Sequence, residues 1–247
     1  MVNKTMIITI QNKSYMEQNG MLNLFQQSFR DGEGTQFLIK HLLFVAVDQT
    51  SYNHCCSLGL NCYKPVTEGV DFSEEVFYMS DDFIQMMWRR TLFLGDVLKR
   101  RYNFIFTEGE DLQMSSNFYN GRRFDDSNFF NTGFYFVTPN NKTTALFDER
   151  NASKHNFTCM NDQEALLRMK RAGVFRRLGL KVRYLDTTCF TGFCQNSKDF
   201  GQVITVHSNC CFSVKAKLTS LAAVLDAWTS NNGTSNATWP THTGFCL

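Results

Sequence analysis

"YNFIFTEGEDLQ", residues 102–113, joins an apolar run to a knot of acids. Tyr102, Phe104, Ile105 and Phe106 form the run, Thr107 closes it, and Glu108, Glu110 and Asp111 gather around Gly109. So short a run predicts a buried strand over 103–106. Carboxylates two apart on extended chain face the same side and can offer hard oxygens to one divalent cation, which makes Glu108 and Glu110 candidate metal ligands. The alternative is a plain acidic turn. Residues 103–107 and 111–115 both read as strands, with Gly109 central between them, which predicts a tight hairpin.

Outward from that stretch, short apolar runs alternate with segments of helical period. Such alternation predicts an α/β fold, a mostly parallel sheet flanked by helices. Further strands are expected at 6–10, 42–47, 133–137, 181–185 and 203–206. The apolar set Met21, Leu22, Leu24, Phe25, Phe29 and Phe37 predicts a helix after the first strand. Ile84, Met87, Trp88, Thr91, Leu94 and Leu98, spaced by three and four, predict a long amphipathic helix over 81–101. Helices are also expected over 161–173, with Gly173 closing the end, and over 214–228. No repeat or proline-rich linker divides residues 1–228, so one domain is expected there, and the Ser-, Thr-, Asn- and Gly-rich residues 229–247 read as a flexible polar tail.

The chain has 247 residues and a formal charge of +2, too balanced a charge to point to a nucleic-acid or membrane partner. The basic stretch "RMKRAGVFRRLGLKVR" reads as a solvated helix face. No run reaches the length of a membrane-spanning helix, and the amino-terminal apolar run reads as a first strand rather than a signal peptide. Nine cysteines leave at least one without an intrachain partner. N-x-S/T sequons begin at Asn3, Asn12, Asn141, Asn151, Asn156, Asn232 and Asn236, an excess that points to a secretory lumen. Buried reduced cysteines in a cytosolic protein are the alternative.

Dinucleotide, P-loop and serine-hydrolase motifs are absent, as are paired C-x-x-C sequences. In open α/β sheets ligands bind beyond the carboxyl ends of the strands. That rule singles out Gln11, Asn12, Asp48, Glu108 and His207. His207 ends "VITVH", where an imidazole can meet metal or phosphate or simply serve the fold. In "NTGFYFV", Asn131 and Gly133 stand where a small residue lets a ligand approach the backbone. Asp162 and Gln163 begin a helix, as capping residues or as groups that recognise sugar hydroxyls.

The segments "SFRDGEGTQFLIKHLLFVAVDQ", "EGVDFS", "MMWRRTLFLGDVLKRRYNFIFT", "NTGFYFV", "FRRLGLKVRYLDTTCFTGFCQ" and "TVHSNCC" together resemble the plant nucleotide-diphospho-sugar transferase domain family over about residues 5–228. The resemblance is to the xylosyl- and arabinosyltransferases of cell-wall polymers. It implies a GT-A, Rossmann-like α/β fold and transfer of a sugar, with retention, from a UDP-sugar donor to a glycan or glycoprotein acceptor. It further implies Mn2+ or Mg2+ and a Golgi-lumenal setting behind an amino-terminal anchor that this sequence does not carry. By that resemblance His207 completes the metal shell, and Asp162 with Gln163 works near the reacting carbon. Asn131 and Gly133 meet the donor sugar, and Arg89 and Arg90 serve its phosphates or act as ion partners.

The sequence departs from the family at the opening stretch. The family follows its "YNFIFT" strand with a D-x-D, whereas Thr107 here runs straight into "EGEDLQ". The D-x-D reads as deleted, with Glu108 and Glu110 as a stand-in pair. Two functions are therefore expected: an active glycosyltransferase, or a catalytically impaired paralogue or truncated product that keeps the fold as a binding partner.

Overall fold

The computed structural model describes residues 5–17, 19–66, 72, 75, 78–104, 110–157, 159–230, 238–241 and 246. It is a mixed α/β structure with parallel strands flanked by helices. The chain forms two compact units. The first comprises 1–16, 40–112 and 136–182, and the second 17–39, 113–135 and 183–247. Each unit is assembled from separated stretches of chain.

In the first unit, β1 (Thr5–Gln11) lies between β2 (Leu42–Ala46) and β4 (Asn103–Phe104), parallel to both, and β3 (Cys62–Tyr63) adds to β2 in parallel. The β1–β2 register runs from Ile7 opposite Leu42 to Gln11 opposite Ala46, so both strands deliver their carboxyl ends together. Strand β2 is buried along most of its length, with Leu42, Phe44, Val45 and Ala46 at 1% exposure or less. A strand covered so fully reads as a continuous apolar run, and "LLFVA" is one.

The expected hairpin is not formed. Phe104 pairs antiparallel with Val137 at the end of β6 (Phe129–Val137), and β5 (Leu112–Phe118) is not a neighbour of β4. Asp111 instead donates its backbone N–H to Lys181 O at 3.0 Å and accepts Thr138 N at 3.0 Å. The apolar pattern found both strands, but strand partners depend on long-range order that a three-residue spacing does not reveal. Residues 105–109, with Glu108 among them, lie outside the described residues.

The long amphipathic helix is α4 (Asp81–Lys99). Ser80 caps it by accepting Phe83 N, Asp81 and Asp82 complement its first turn, and Arg101, at φ 59°, ends it. Its buried stripe of Trp88, Thr91, Leu94, Val97 and Leu98 packs beside α5 (Asn141–Ala152) and α6 (Asp162–Arg171). The α6 helix starts one residue later than expected, because Asn161 is its cap, accepting Gln163 N and Glu164 N. Gly173, at φ 82°, stops it in the left-handed conformation that glycine takes most easily.

Several elements escaped the periodicity reading because their signal is local, three helices among them. These are the one-turn α1 (Lys13–Met16), α3 (Gln49–Ser57) and α5. Helix α5 has little amphipathic pattern but a full capping box, Asn140 with Thr143. The short α7 (Val174–Arg177) follows α6.

In the second unit, β5 lies between β6 and β7 (Val182–Tyr184), and β8 (Phe190–Gly192) pairs in parallel with β9 (Thr205–His207). Helices α2 (Met21–Asp31) and α8 (Val214–Ser230) pack together. After α8, the described residues Trp239 and Cys246 are bonded to the rest of the unit. Trp239 donates Nε1–H to Ser197 O at 2.7 Å and stands edge-on to Phe200, and Cys246 is bonded to Cys211. Residues 229–230 simply continue α8.

Two more disulfides, Cys55–Cys62 and Cys194–Cys210, each lie within one unit, while Cys56, Cys159 and Cys189 are thiols. None of the described helices is long and apolar enough to cross a membrane. Because the Cys211–Cys246 bridge closes a loop across 35 residues of separation, chain entropy assigns it about 2–4 kcal/mol. Cys246→Ala is expected to lose about that much in denaturant unfolding; an unchanged midpoint would contradict it.

Candidate functional site

The first unit gathers three expected donor-binding residues at the carboxyl ends of β1 and β2. Gln11, Asn12 and Asp48 are buried, at 5%, 4% and 6% exposure. Val47 N donates to Gln11 O at 3.1 Å, which ties the two strand ends. Asp48 is committed to the fold: its carboxylate accepts Ser51 N at 2.8 Å, Ser51 Oγ at 2.6 Å and Lys13 N at 2.9 Å, capping α3 and fixing α1. Gln11 donates Nε2–H to Thr9 Oγ1 at 3.2 Å, and its buried Oε1 has no hydrogen-bond partner among the described residues. An unmet buried acceptor costs about 1–3 kcal/mol, so this carbonyl is suited to a ligand N–H or O–H.

Asp162 is 2% exposed. Its Oδ2 meets the guanidinium of Arg90 from α4 and, at 3.1 Å, Arg150 Nη2 from α5; the same nitrogen donates to Asp162 O at 2.6 Å. Trp88 Nε1–H reaches Met160 O at 3.2 Å beside this group. Arg90 is therefore an ion partner, the second of the two roles expected of it. Arg89 is half-buried on the same helix, and Gln163 half-buried on α6 gives its backbone N–H to the Asn161 cap. Glu110 is half-buried, with its carbonyl accepting Thr138 Oγ1 at 3.0 Å.

The second unit brings together Asn131, Gly133 and His207. A Cβ on Gly133 would fall 2.5 Å from Cε1 and 2.6 Å from Nε2 of His207, and 2.8 Å from Asn131 Oδ1. Glycine is the side chain the packed imidazole allows. Asn131 Oδ1 accepts Gly133 N at 2.6 Å, and its Nδ2 donates to Asn117 Oδ1 at 3.0 Å. Asn117 Oδ1 also accepts Asn209 Nδ2 at 2.9 Å, while Asn209 Oδ1 accepts Cys194 N at 3.2 Å. Gly192, opposite His207 in the β8–β9 register, is the second enforced glycine, for its Cβ would meet Asn209 Oδ1 at 2.4 Å.

An amide relay thus runs from the Gly133 backbone to the loop after His207, and the Cys194–Cys210 bridge closes that loop. Asn117, Asn209 and Gly192 were not singled out from sequence, since only the pairing of separated strands joins them. "HSNCC" held the clue to Asn209, an amide two residues from a strand-end histidine.

Around this relay the second unit is firmly tied. Gln195 Oε1 accepts Tyr119 N at 2.6 Å and Thr187 Oγ1 at 3.1 Å. Burial, with a hydrogen bond to Asp126, pushes the Tyr184 phenol well above its ordinary range, so it remains a donor at any physiological pH. Burial, with Asp186 nearby, likewise raises the Cys189 thiol, which keeps it protonated rather than nucleophilic.

Among the described residues no three His, Cys, Asp or Glu side chains converge on a point where a metal ion could sit. The described side chains alone therefore do not complete a divalent-cation site.

With this geometry in hand, the chain is placed by comparison. The family model described as nucleotide-diphospho-sugar transferase matches residues 37–221, and the chain belongs to that family. Membership makes a sugar-nucleotide the implied donor and glycosyl transfer the implied class of activity. Among relatives in Arabidopsis thaliana, uncharacterized protein At1g28695 is 44% identical over 97% of this chain and 78% of its own length. Uncharacterized protein At4g15970 is 38% identical over 91% of this chain and 64% of its own. The chain thus spans less than two thirds of the second relative. No solved structure matches.

Two substitutions probe this geometry. Asp162→Ala leaves two guanidiniums without their carboxylate, and is expected to lower unfolding free energy by about 3–5 kcal/mol in urea titrations. Gly133→Ala is expected to displace the imidazole, moving the His207 Cε1–Hε1 resonance in NMR spectra. An unmoved resonance would mean that the two groups are not in contact in solution.

Proposed function

We propose that this protein is a glycosyltransferase that moves a sugar from a UDP-sugar to a glycan or glycoprotein acceptor of the cell wall, with retention of configuration, in the Golgi lumen. The observation that carries the reading, beside family membership, is the apposition of His207 to Gly133 with Asn131 bonded to the Gly133 backbone. A side-chain-free backbone beside an imidazole and two amides presents the small, polar, directional surface that a sugar ring and a diphosphate require. Gln11 Oε1, at the carboxyl end of β1, offers a ligand N–H or O–H the kind of acceptor that a nucleoside needs.

The chemistry sets what the chain must do. A diphosphate leaves from the anomeric carbon only when its growing charge is met by donors and cations. A bound Mn2+ or Mg2+ would supply Lewis-acid neutralisation of that charge, with His207 as one ligand and Glu108 and Glu110 as the carboxylates nearest in sequence to the family's metal motif. Asn131 and the Gly133 backbone hold the donor sugar. Asp162 acts by position: with the guanidiniums of Arg90 and Arg150 engaged, it fixes the start of α6, which carries Gln163, against α4, which carries Arg89. The disulfides support the lumenal setting, since such bridges persist in oxidising compartments.

A second reading, a catalytically impaired relative that keeps the fold as a binding partner, draws on the direct junction of Thr107 with "EGEDLQ". Release of UDP from UDP-sugars, with and without manganese, separates the two. A transferase is expected to show manganese-dependent hydrolysis that falls about tenfold or more in His207→Ala; equal turnover in the variant would remove His207 from the metal shell, and no turnover in the wild type would favour the second reading.

A further inference from the structure

We propose that Asn141 carries an N-linked glycan and that the sequons at Asn12 and Asn151 stay unmodified. This rests on the lumenal placement above. Three sequons lie wholly among the described residues: Asn12-Lys13-Ser14, Asn141-Lys142-Thr143 and Asn151-Ala152-Ser153. A glycan on the amide nitrogen must project into water, so burial of the side chain decides which of the three sequons can carry one in a chain that folds and is secreted.

Asn12 is 4% exposed at the end of β1, and an oligosaccharide there would force the strand end open. Asn151 sits at the end of α5 against α4. Its Oδ1 is buried, and its Nδ2 would lie 3.4 Å from a Cβ on Gly95. A sugar on that nitrogen has no room without parting the two helices. Asn141 is exposed, at the first turn of α5 just after the Asn140 cap.

The third residue of this sequon fixes when modification occurs. Thr143 is 0% exposed; its hydroxyl donates to Thr138 O at 2.7 Å and accepts Asn140 N at 3.0 Å in the capping box. A transferase that must read this hydroxyl cannot reach it in the folded chain, so Asn141 is modified before α5 forms. The donor is a lipid-pyrophosphate-linked oligosaccharide. Asn141 Nδ2 bonds to its anomeric carbon, the bond from that carbon to the pyrophosphate oxygen breaks, the amide gives up one proton, and the lipid pyrophosphate leaves with the electron pair. Folding then buries Thr143 and leaves the glycan outside.

The test is peptide mass mapping of the full chain secreted from plant or insect cells, deglycosylated by an amidase in H2(18)O. The expected result is the 18O-marked Asn-to-Asp conversion at Asn141 and unmarked Asn12 and Asn151. Asn141→Gln should remove one glycan's mass, while Thr143→Ser, which keeps both sequon and cap, should retain it. An unmarked Asn141 in the secreted protein, or a marked Asn12 or Asn151, would overturn the proposal. The readout is independent of UDP-sugar turnover, so loss of the catalytic reading leaves this result standing, and the reverse.

Discussion

A carboxylate held between two guanidiniums organises the helical layer of the first unit. Asp162 opens α6, Arg90 comes from α4 and Arg150 from α5, so one buried acid draws three helices to a common point. Removing charges from water is expensive, and such a group repays that cost only when its remaining donors and acceptors are also met. Arg150 Nη2 meets the Asp162 carbonyl as well as the carboxylate, and Trp88 satisfies Met160 O alongside, while the buried Arg150 Nε has no hydrogen-bond partner among the described residues, so the cost is met only in part. The α4 helix leads through Arg101 into β4, which lies beside β1, so the geometry of this ion cluster is linked through the chain to the strand that ends in Gln11.

The second unit is arranged around a different constraint, the exclusion of side chains. Gly133 and Gly192 are each pressed by a polar side chain, an imidazole in one case and an amide in the other. Asn117 joins the amides on either side, and the Cys194–Cys210 bridge limits the loop that bears Asn209. The result is a cluster of polar groups held in fixed places by one another. Pre-organisation of this kind fits a family whose substrates are rich in hydroxyls and phosphate oxygens.

Much of the fold could be read from sequence wherever burial writes a simple pattern. The apolar runs at β1, β2, β6 and β7 and the three-and-four spacing of α4 each give their element, because a buried strand or helix face must be continuous. The site was legible in part: Asn131, Gly133 and His207 stood out as strand-flanking residues and do meet. What stayed hidden depends on partners distant in sequence. Asn117 looks like any polar residue in a strand until Asn131 and Asn209 stand beside it. The hairpin inferred from Gly109 failed for the same reason, since β6 takes the place beside β4. Asp48 and Asp162, both flagged at element ends, turn out to be bound by the fold itself, one as a cap and the other as an ion partner.

The central claim is that this chain still binds a sugar nucleotide although its sequence runs directly from Thr107 to Glu108. Calorimetric titration of UDP into the full chain, with manganese present and after its chelation, tests it most directly. The account predicts saturable UDP binding that tightens at least about tenfold with the metal. Absence of binding in both conditions would contradict it and leave the fold as a scaffold that has lost its ligand.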